Sequence, residues 1–215
     1  MSNYLIIGGH GKIALLASRL LVTDGHSVTS IIRNPDHVRD VEDTGATALV
    51  LDVEDATIDD LTHAVRGHDA IVWSAGAGGG NPARTMAVDY SAAVRSMDAA
   101  ALAGVSRYVM VSYLHASLDH GIPETEPFYA YAQAKAMADD HLRSSGLEYT
   151  ILGPGSLTDD AASGKITVHE EKTPGPAETS RGNVALVIRA VLGQPSTSGS
   201  TIGFSDGETP IDAII

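Results

Sequence analysis

Residues 4–21, YLIIGGHGKIALLASRLL, pass from an apolar run through three glycines into a segment with helical spacing. Tyr4–Ile7 has the continuous apolar character of a strand covered on both faces. Lys12–Thr23 places Ile13, Leu16, Leu20 and Leu21 at helical intervals. Between the two, Gly9-His10-Gly11-Lys12-Ile13-Ala14 fits the pattern G-x-G-x-x-G/A, and Gly8, Gly11 and Ala14 fit the related G-x-x-G-x-x-A. Glycines here allow a tight turn and let the backbone touch a diphosphate, while the helix start offers N–H groups and a partial positive charge. The loop Gly8–Ile13 is therefore expected to hold the pyrophosphate of a dinucleotide.

The alternation continues along the chain. Ser27–Ile32, Ala48–Leu51, Ala70–Trp73, Arg107–Val111 and Tyr149–Leu152 read as short strands. Ile58–Val65, Asn81–Ala103 and Phe128–Ser145 read as helices, the last two closed by Gly104 and Gly146. This order predicts right-handed βαβ units and an α/β fold with a doubly wound parallel sheet, in one domain. Beyond Pro154 the chain becomes rich in Gly, Pro and acids, with one short strand at Ile166–His169, then a helix over 179–192 and a last strand in GSTIGFSDG (199–207). The segment 154–178 is expected to cross the carboxyl edge of the sheet and shape a small substrate-side region.

The end of the second strand bears on which dinucleotide binds. An acid there would bond the ribose 2′-OH of NAD, but the strand runs into Arg33-Asn34, and a guanidinium suits the 2′-phosphate of NADP. NADP is thus the expected cofactor, with NAD as the alternative, and Lys12 offers a second phosphate contact. Asp52-Val53 after the third strand is placed to meet adenine. Ser74-Ala75-Gly76, with Gly78–Gly80 behind it, is placed to let the adenine-side ribose pack on the backbone.

Tyr131 and Lys135 stand one helical turn apart. A cation beside a phenol favours phenolate, and is expected to bring Tyr131 down from the reference pKa of about 10 towards the working range. Tyr129 competes for the same role.

Taken in order, IIGGHGKIA, LDVED, SAGAG, YVMVS, YAQAK and SGLEYTILGPGSLTDD resemble the short-chain dehydrogenase/reductase superfamily. More narrowly the chain is similar to its atypical single-domain NAD(P)-binding Rossmann members, the group of flavin/biliverdin reductase-like and NmrA-like proteins. The resemblance runs over nearly the whole chain, TSRGNVALVI included. It implies that Gly8, Gly11 and Ala14 hold the pyrophosphate, Arg33 the 2′-phosphate, and Asp52 and Val53 the adenine. It further implies that Tyr131 is the proton donor, that Lys135 binds the nicotinamide ribose and lowers the Tyr131 pKa, and that Pro154–Leu157 packs near the nicotinamide. A Ser or Thr after the fifth strand polarises the substrate in this superfamily. Ser112 is the nearest, with His115 and Ser117 as alternatives. One departure is Gly153, where relatives often carry arginine in the pattern ILRPG.

A net charge of −13 argues against nucleic acid or an anionic membrane as partner. Without cysteine there is no disulfide, thiol nucleophile or thiolate metal site. The histidines lack metal-ligand spacing, so no metal site is expected, and the acid pairs Asp59-Asp60, Asp139-Asp140 and Asp159-Asp160 read as solvated faces. No apolar run reaches the roughly 18 residues of a membrane span, and the chain is expected to be soluble and cytoplasmic. The reading that results is an NADP-dependent reductase of a small carbonyl, quinone or flavin-like acceptor. The alternatives are a non-catalytic NADP(H) sensor and a nucleotide-sugar epimerase or dehydratase.

Overall fold

A run such as Leu5-Ile6-Ile7 can be dry on both faces only in the interior of a sheet. In the computed structural model all three are 0% exposed, within β1 (Asn3–Ile7), which has a parallel neighbour on each side. The structure describes residues 1–78, 80–169 and 177–215.

After β1 come α1 (Lys12–Thr23), β2 (Ser27–Ile32), a short α2 (Val38–Glu42), β3 (Thr47–Val50), α3 (Ile58–Val65) and β4 (Ala70–Trp73). Then follow α4 (Pro82–Thr85), α5 (Ala93–Ala103), β5 (Arg107–Val111), α6 (Tyr129–Ser144) and β6 (Glu148–Pro154). Three short strands, β7 (Ser156–Thr158), β8 (Lys165–Val168) and β9 (Glu178–Ser180), precede α7 (Arg181–Leu192), β10 (Ser200–Asp206) and β11 (Thr209–Pro210).

The sheet runs β3-β2-β1-β4-β5-β6-β10 with all seven strands parallel, and β8 and β11 are added antiparallel at the far edge. This is the doubly wound Rossmann order, in which the winding reverses at β1 and opens a crevice at the carboxyl ends of β1 and β4. Alternate side chains serve the two faces. Ile6, Val72, Val109 and Leu152 pack towards Ala14, Ala17 and Leu21 of α1 and Val184 and Ile188 of α7. Leu5, Ile7, Ile71, Trp73 and Met110 pack towards Met97 and Ala100 of α5 and Ala138 and Leu142 of α6. No helix among the described residues is long and apolar enough to cross a membrane.

Two expectations need correction. The helix read over Asn81–Ala103 is α4 and α5 separated by a π-helical stretch, Met86–Ala92. Such a bulge widens the turn by one residue and leaves the apolar spacing almost unchanged, so the sequence does not announce it. It carries Asp89 into the interior, where that residue is 1% exposed. The segment 154–178 is also more regular than a loop. β7 and β9 form a parallel pair of their own, and β8, with Ile166 buried, joins the main sheet. The parts of that reading on 170–176, and on Gly79 in the Gly78–Gly80 run, lie outside the described residues.

Because Ile6 fills the centre of one face, Ile6→Ala is expected to cost about 2–5 kcal/mol of stability. Urea unfolding checks this, with a lower midpoint at unchanged slope.

Candidate functional site

The glycines of the first turn do two different jobs. Gly8 has a φ of +86°, and its N–H and that of Gly9 both donate to the Ile31 carbonyl, at 3.2 and 2.8 Å. A Cβ on Gly8 would lie 2.6 Å from the Ala75 backbone, and one on Gly9 would lie 2.5 Å from Ser30 Cβ. These two are required by the protein's own packing, since the turn is pressed between the ends of β2 and β4. Gly11 instead caps the start of α1, and among the described residues no side chain caps that helix start. The N–H groups that open α1, at Lys12 and Ile13, are left for an external acceptor such as a phosphate. Ala14, buried beneath them, lets the helix sit close to the sheet.

A cleft of about 320 Å³ opens at this turn. It is lined by Gly8, His10 and Gly11, by Arg33 after β2, by Asp52 and Val53 after β3, and by Ser74, Ala75 and Gly76 after β4. Most of the positions read from sequence as dinucleotide contacts therefore share one crevice, and the uncapped helix start fits a diphosphate within it. Arg33 is exposed at its rim, with no hydrogen bond or ion pair among the described residues. His10 lies 2.9 Å from Asp40 and stacks on His37 at 3.5 Å. Lys12 does not line the cleft: its Nζ is 2.5 Å from Asp159, which is also bonded by Arg181 at 2.8 Å. The hydrogen bond from Lys12 is the main cause that holds the Asp159 carboxyl below its usual range.

Two arginines absent from the sequence reading shape the same crevice. Arg95 donates to the carbonyls of Val53 and Glu54 at 3.0 and 2.8 Å. Arg84 pairs with Glu54 at 3.0 Å and donates to the Ala77 carbonyl at 2.5 Å, tying the loop after β3 to the loop after β4.

A second cleft, of about 460 Å³, is lined by Ser112, Tyr113, His115, Phe128, Tyr131 and Pro154, among others. Three rings form its wall: Tyr113 to Phe128 at 5.4 Å, Tyr113 to Tyr131 at 5.8 Å and Phe128 to Tyr131 at 5.3 Å. Pro154, read from sequence as a cofactor contact, lines this cleft and not the first, because β6 runs on past Leu152 and delivers it there. Gly153 just before it is tightly packed, since a Cβ would approach the Tyr113 carbonyl to 3.0 Å. Tyr129 packs its ring on His120 at 5.4 Å and does not line the cleft. Ser117 does not line it either, and accepts from the Asp119 N–H at 3.2 Å.

Behind the second cleft lies a set of buried charges. Lys135 is 1% exposed and donates to the Val111 carbonyl at 2.6 Å. Burial lowers its pKa, and the nearby Asp89 and Asp139 pull it back up. Burial in turn raises both carboxylates, against the pull of Lys135. Asp89 accepts the Ala77 N–H at 3.0 Å, and Asp139 pairs with Ser112 Oγ at 2.5 Å. The second oxygen of each acid has no partner among the described residues.

The balance around Tyr131 runs opposite to the expectation from the Tyr–Lys spacing. Burial first, and then the negative charges of Asp89 and Asp139, push the phenol well above its ordinary value. Asp139 also corrects the reading of acid pairs as solvated faces. Asp140 is exposed, but Asp139 is 0% exposed. The spacing of Tyr131, Lys135 and Asp139 at four-residue steps was the available signal, because it stacks all three on one helix face. Asp59 and Asp60 are exposed at the start of α3, where Asp60 completes a capping box with Thr57, and Asp159 and Asp160 are exposed as well.

The NAD(P)H-binding family matches residues 8–195. The chain is 32% identical to the uncharacterized sugar epimerase YhfK of Bacillus subtilis, over 96% of this chain and 95% of that protein. A solved structure from Bacillus halodurans that carries an NAD-dependent epimerase/dehydratase name superposes with a TM-score of 0.91 at 30% identity, covering 100% of this chain and 98% of that one. The structure of the oxidoreductase ylbE from Lactococcus lactis superposes with a TM-score of 0.86 at 27% identity, covering 98% and 94%.

Because Asp159 occupies the ammonium of Lys12 beside the phosphate-facing turn, Asp159→Asn is expected to tighten dinucleotide binding by about twofold to fivefold, the scale of an exposed ion pair. Calorimetric titration with NADPH at low and high salt checks it, and the gain shrinks at high salt.

Proposed function

The chain belongs to the NAD(P)H-binding family, and from that premise we propose that it is an NADPH-preferring reductase of a small carbonyl, quinone or flavin-like acceptor. The observation that carries the reading is the wall of the second cleft, where the Tyr131 phenol and the Ser112 hydroxyl stand beside the rings of Tyr113 and Phe128. A phenol carries a proton at neutral pH, and reduction requires the acceptor oxygen to gain one. The nicotinamide dinucleotide, when bound, supplies the hydride.

This chain's residues do the rest. The uncapped start of α1 binds the diphosphate, and Arg33 at the rim pairs with the 2′-phosphate. Asp52 and Val53 meet the adenine, and Ala75 and Gly76 the ribose beside it. Ser112 and Tyr131 face the acceptor oxygen, while Tyr113 and Phe128 stack on a flat acceptor and exclude water. Lys135, bonded to Val111, holds the end of β5 against α6. Among the described residues the second cleft is lined by no Lys or Arg, which favours an acceptor without charge.

A second reading, an epimerase or dehydratase of a nucleotide-linked sugar, is favoured by the names of the Bacillus relatives. It asks for a cation to meet the sugar-linked diphosphate and a base to take a hydroxyl proton. The aromatic wall of Tyr113 and Phe128, and a lining without Lys or Arg among the described residues, support the reductase instead.

Calorimetry tests the cofactor. Arg33→Ala is expected to weaken NADPH about tenfold or more and leave NADH nearly unchanged, and equal effects on both would sink the preference. Turnover tests the chemistry. Tyr131→Phe is expected to lower kcat/KM on aromatic aldehydes by about 10²–10⁴ while NADPH binding persists; undiminished turnover would remove Tyr131 from the reaction, and no turnover by the unmodified protein would favour a cofactor sensor.

A further inference from the structure

Two carboxylates and one ammonium sealed from water form a neutral set only when they share one extra proton. Asp89, Lys135 and Asp139 are such a set, at 1%, 1% and 0% exposure. The other groups that act on them are Arg84 from α4, Tyr131 and Arg143 from α6, and Ser112 and Tyr113 at the end of β5.

The two acids are not equivalent. Asp89 faces the Ala77 N–H, a fixed donor that stabilises the ionised form. Asp139 faces Ser112 Oγ, a hydroxyl that can donate or accept. The shared proton therefore rests on Asp139.

Its position decides what Ser112 can do, because a hydroxyl has a single hydrogen. With Asp139 ionised, Ser112 gives that hydrogen to the carboxylate behind it and has none for the cleft it lines. With Asp139 protonated, the acid donates to Ser112 Oγ, and the serine hydrogen is free to point into the cleft. We propose that Asp139, held as a neutral carboxylic acid, is a positioning residue that makes Ser112 a hydrogen-bond donor to the acceptor's carbonyl oxygen. No atom changes hands in this role. The proposal rests on the reductase reading for the acceptor, but the placement of the proton stands apart from turnover.

The experiment follows both, on the full chain. The infrared spectrum of the protein at neutral pH is expected to show the carbonyl stretch of a protonated carboxylic acid, absent in Asp139→Asn and in Asp89→Asn, since either change leaves one acid for one ammonium, and shifted in frequency by Ser112→Ala, which removes the hydrogen-bond partner of Asp139 alone. With NADPH and para-nitrobenzaldehyde as probe, kcat is expected to fall as pH rises, about tenfold per unit above the apparent pKa of the set, as Asp139 ionises. Asp139→Asn, whose amide donates to Ser112 at every pH, moves that alkaline limb upward by about one unit or more, while Asp139→Ala lowers kcat and leaves KM for NADPH in place. A protonated-acid band that persists in Asp139→Asn, one whose frequency Ser112→Ala leaves unmoved, or an alkaline limb unmoved by Asp139→Asn, overturns the proposal. Failure of the unmodified protein to reduce the probe counts against the reductase reading, and the infrared band then decides the proton's place by itself.

Discussion

An ammonium enclosed by protein must find negative charge within reach, and at Lys135 that requirement ties together the parts of the molecule that matter for its chemistry. The lysine comes from α6, its hydrogen bond goes to the last carbonyl of β5, and its compensating acids come from α6 itself and from the π-helical stretch. Replacing that stretch by regular helix would change the direction in which Asp89 projects. The widened turn thus has an electrostatic reason as well as a packing one.

The same set of charges links the two clefts. Asp89 holds the Ala77 N–H in the loop that borders the dinucleotide crevice, and a Cβ on Gly76 of that loop would lie 3.1 Å from its free oxygen. Asp139 holds Ser112, which lines the second cleft. Charge inside the protein is screened far less than charge at its surface, so a change of protonation at one end is felt at the other. The surface pairs around the first cleft, Lys12 with Asp159 and His10 with Asp40, are solvated and contribute little to the fold.

Much of this was legible beforehand. Continuous apolar runs marked Leu5–Ile7 and Ile71–Trp73 as strands covered on both faces, and Gly104, with φ +75°, closed α5 as a left-handed cap should. Gly8, Arg33, Asp52 and Gly76 are distant in sequence, yet strand alternation alone put them at one edge, because every parallel strand ends on the same side. What escaped was geometry at right angles to the chain. The spacing of Tyr131 and Lys135 suggested an activating pair, but the lysine turns to a backbone carbonyl and two acids weigh on the phenol. That Pro154 lines the second cleft was not legible, because its place depends on how far β6 extends.

By itself the sequence determined the architecture and the glycine turn that opens α1, since both follow from local periodicity and from the special backbone freedom of glycine. It could also have announced the Tyr131–Lys135–Asp139 face, which is a matter of helical spacing. Only the tertiary structure decided that Asp89 joins that face and that Ser112 leans on Asp139. It also decided that Gly8 and Gly9 serve the protein's packing as much as any ligand. These depend on distances between residues far apart in the chain, and on the exclusion of water, which no local pattern of residues records.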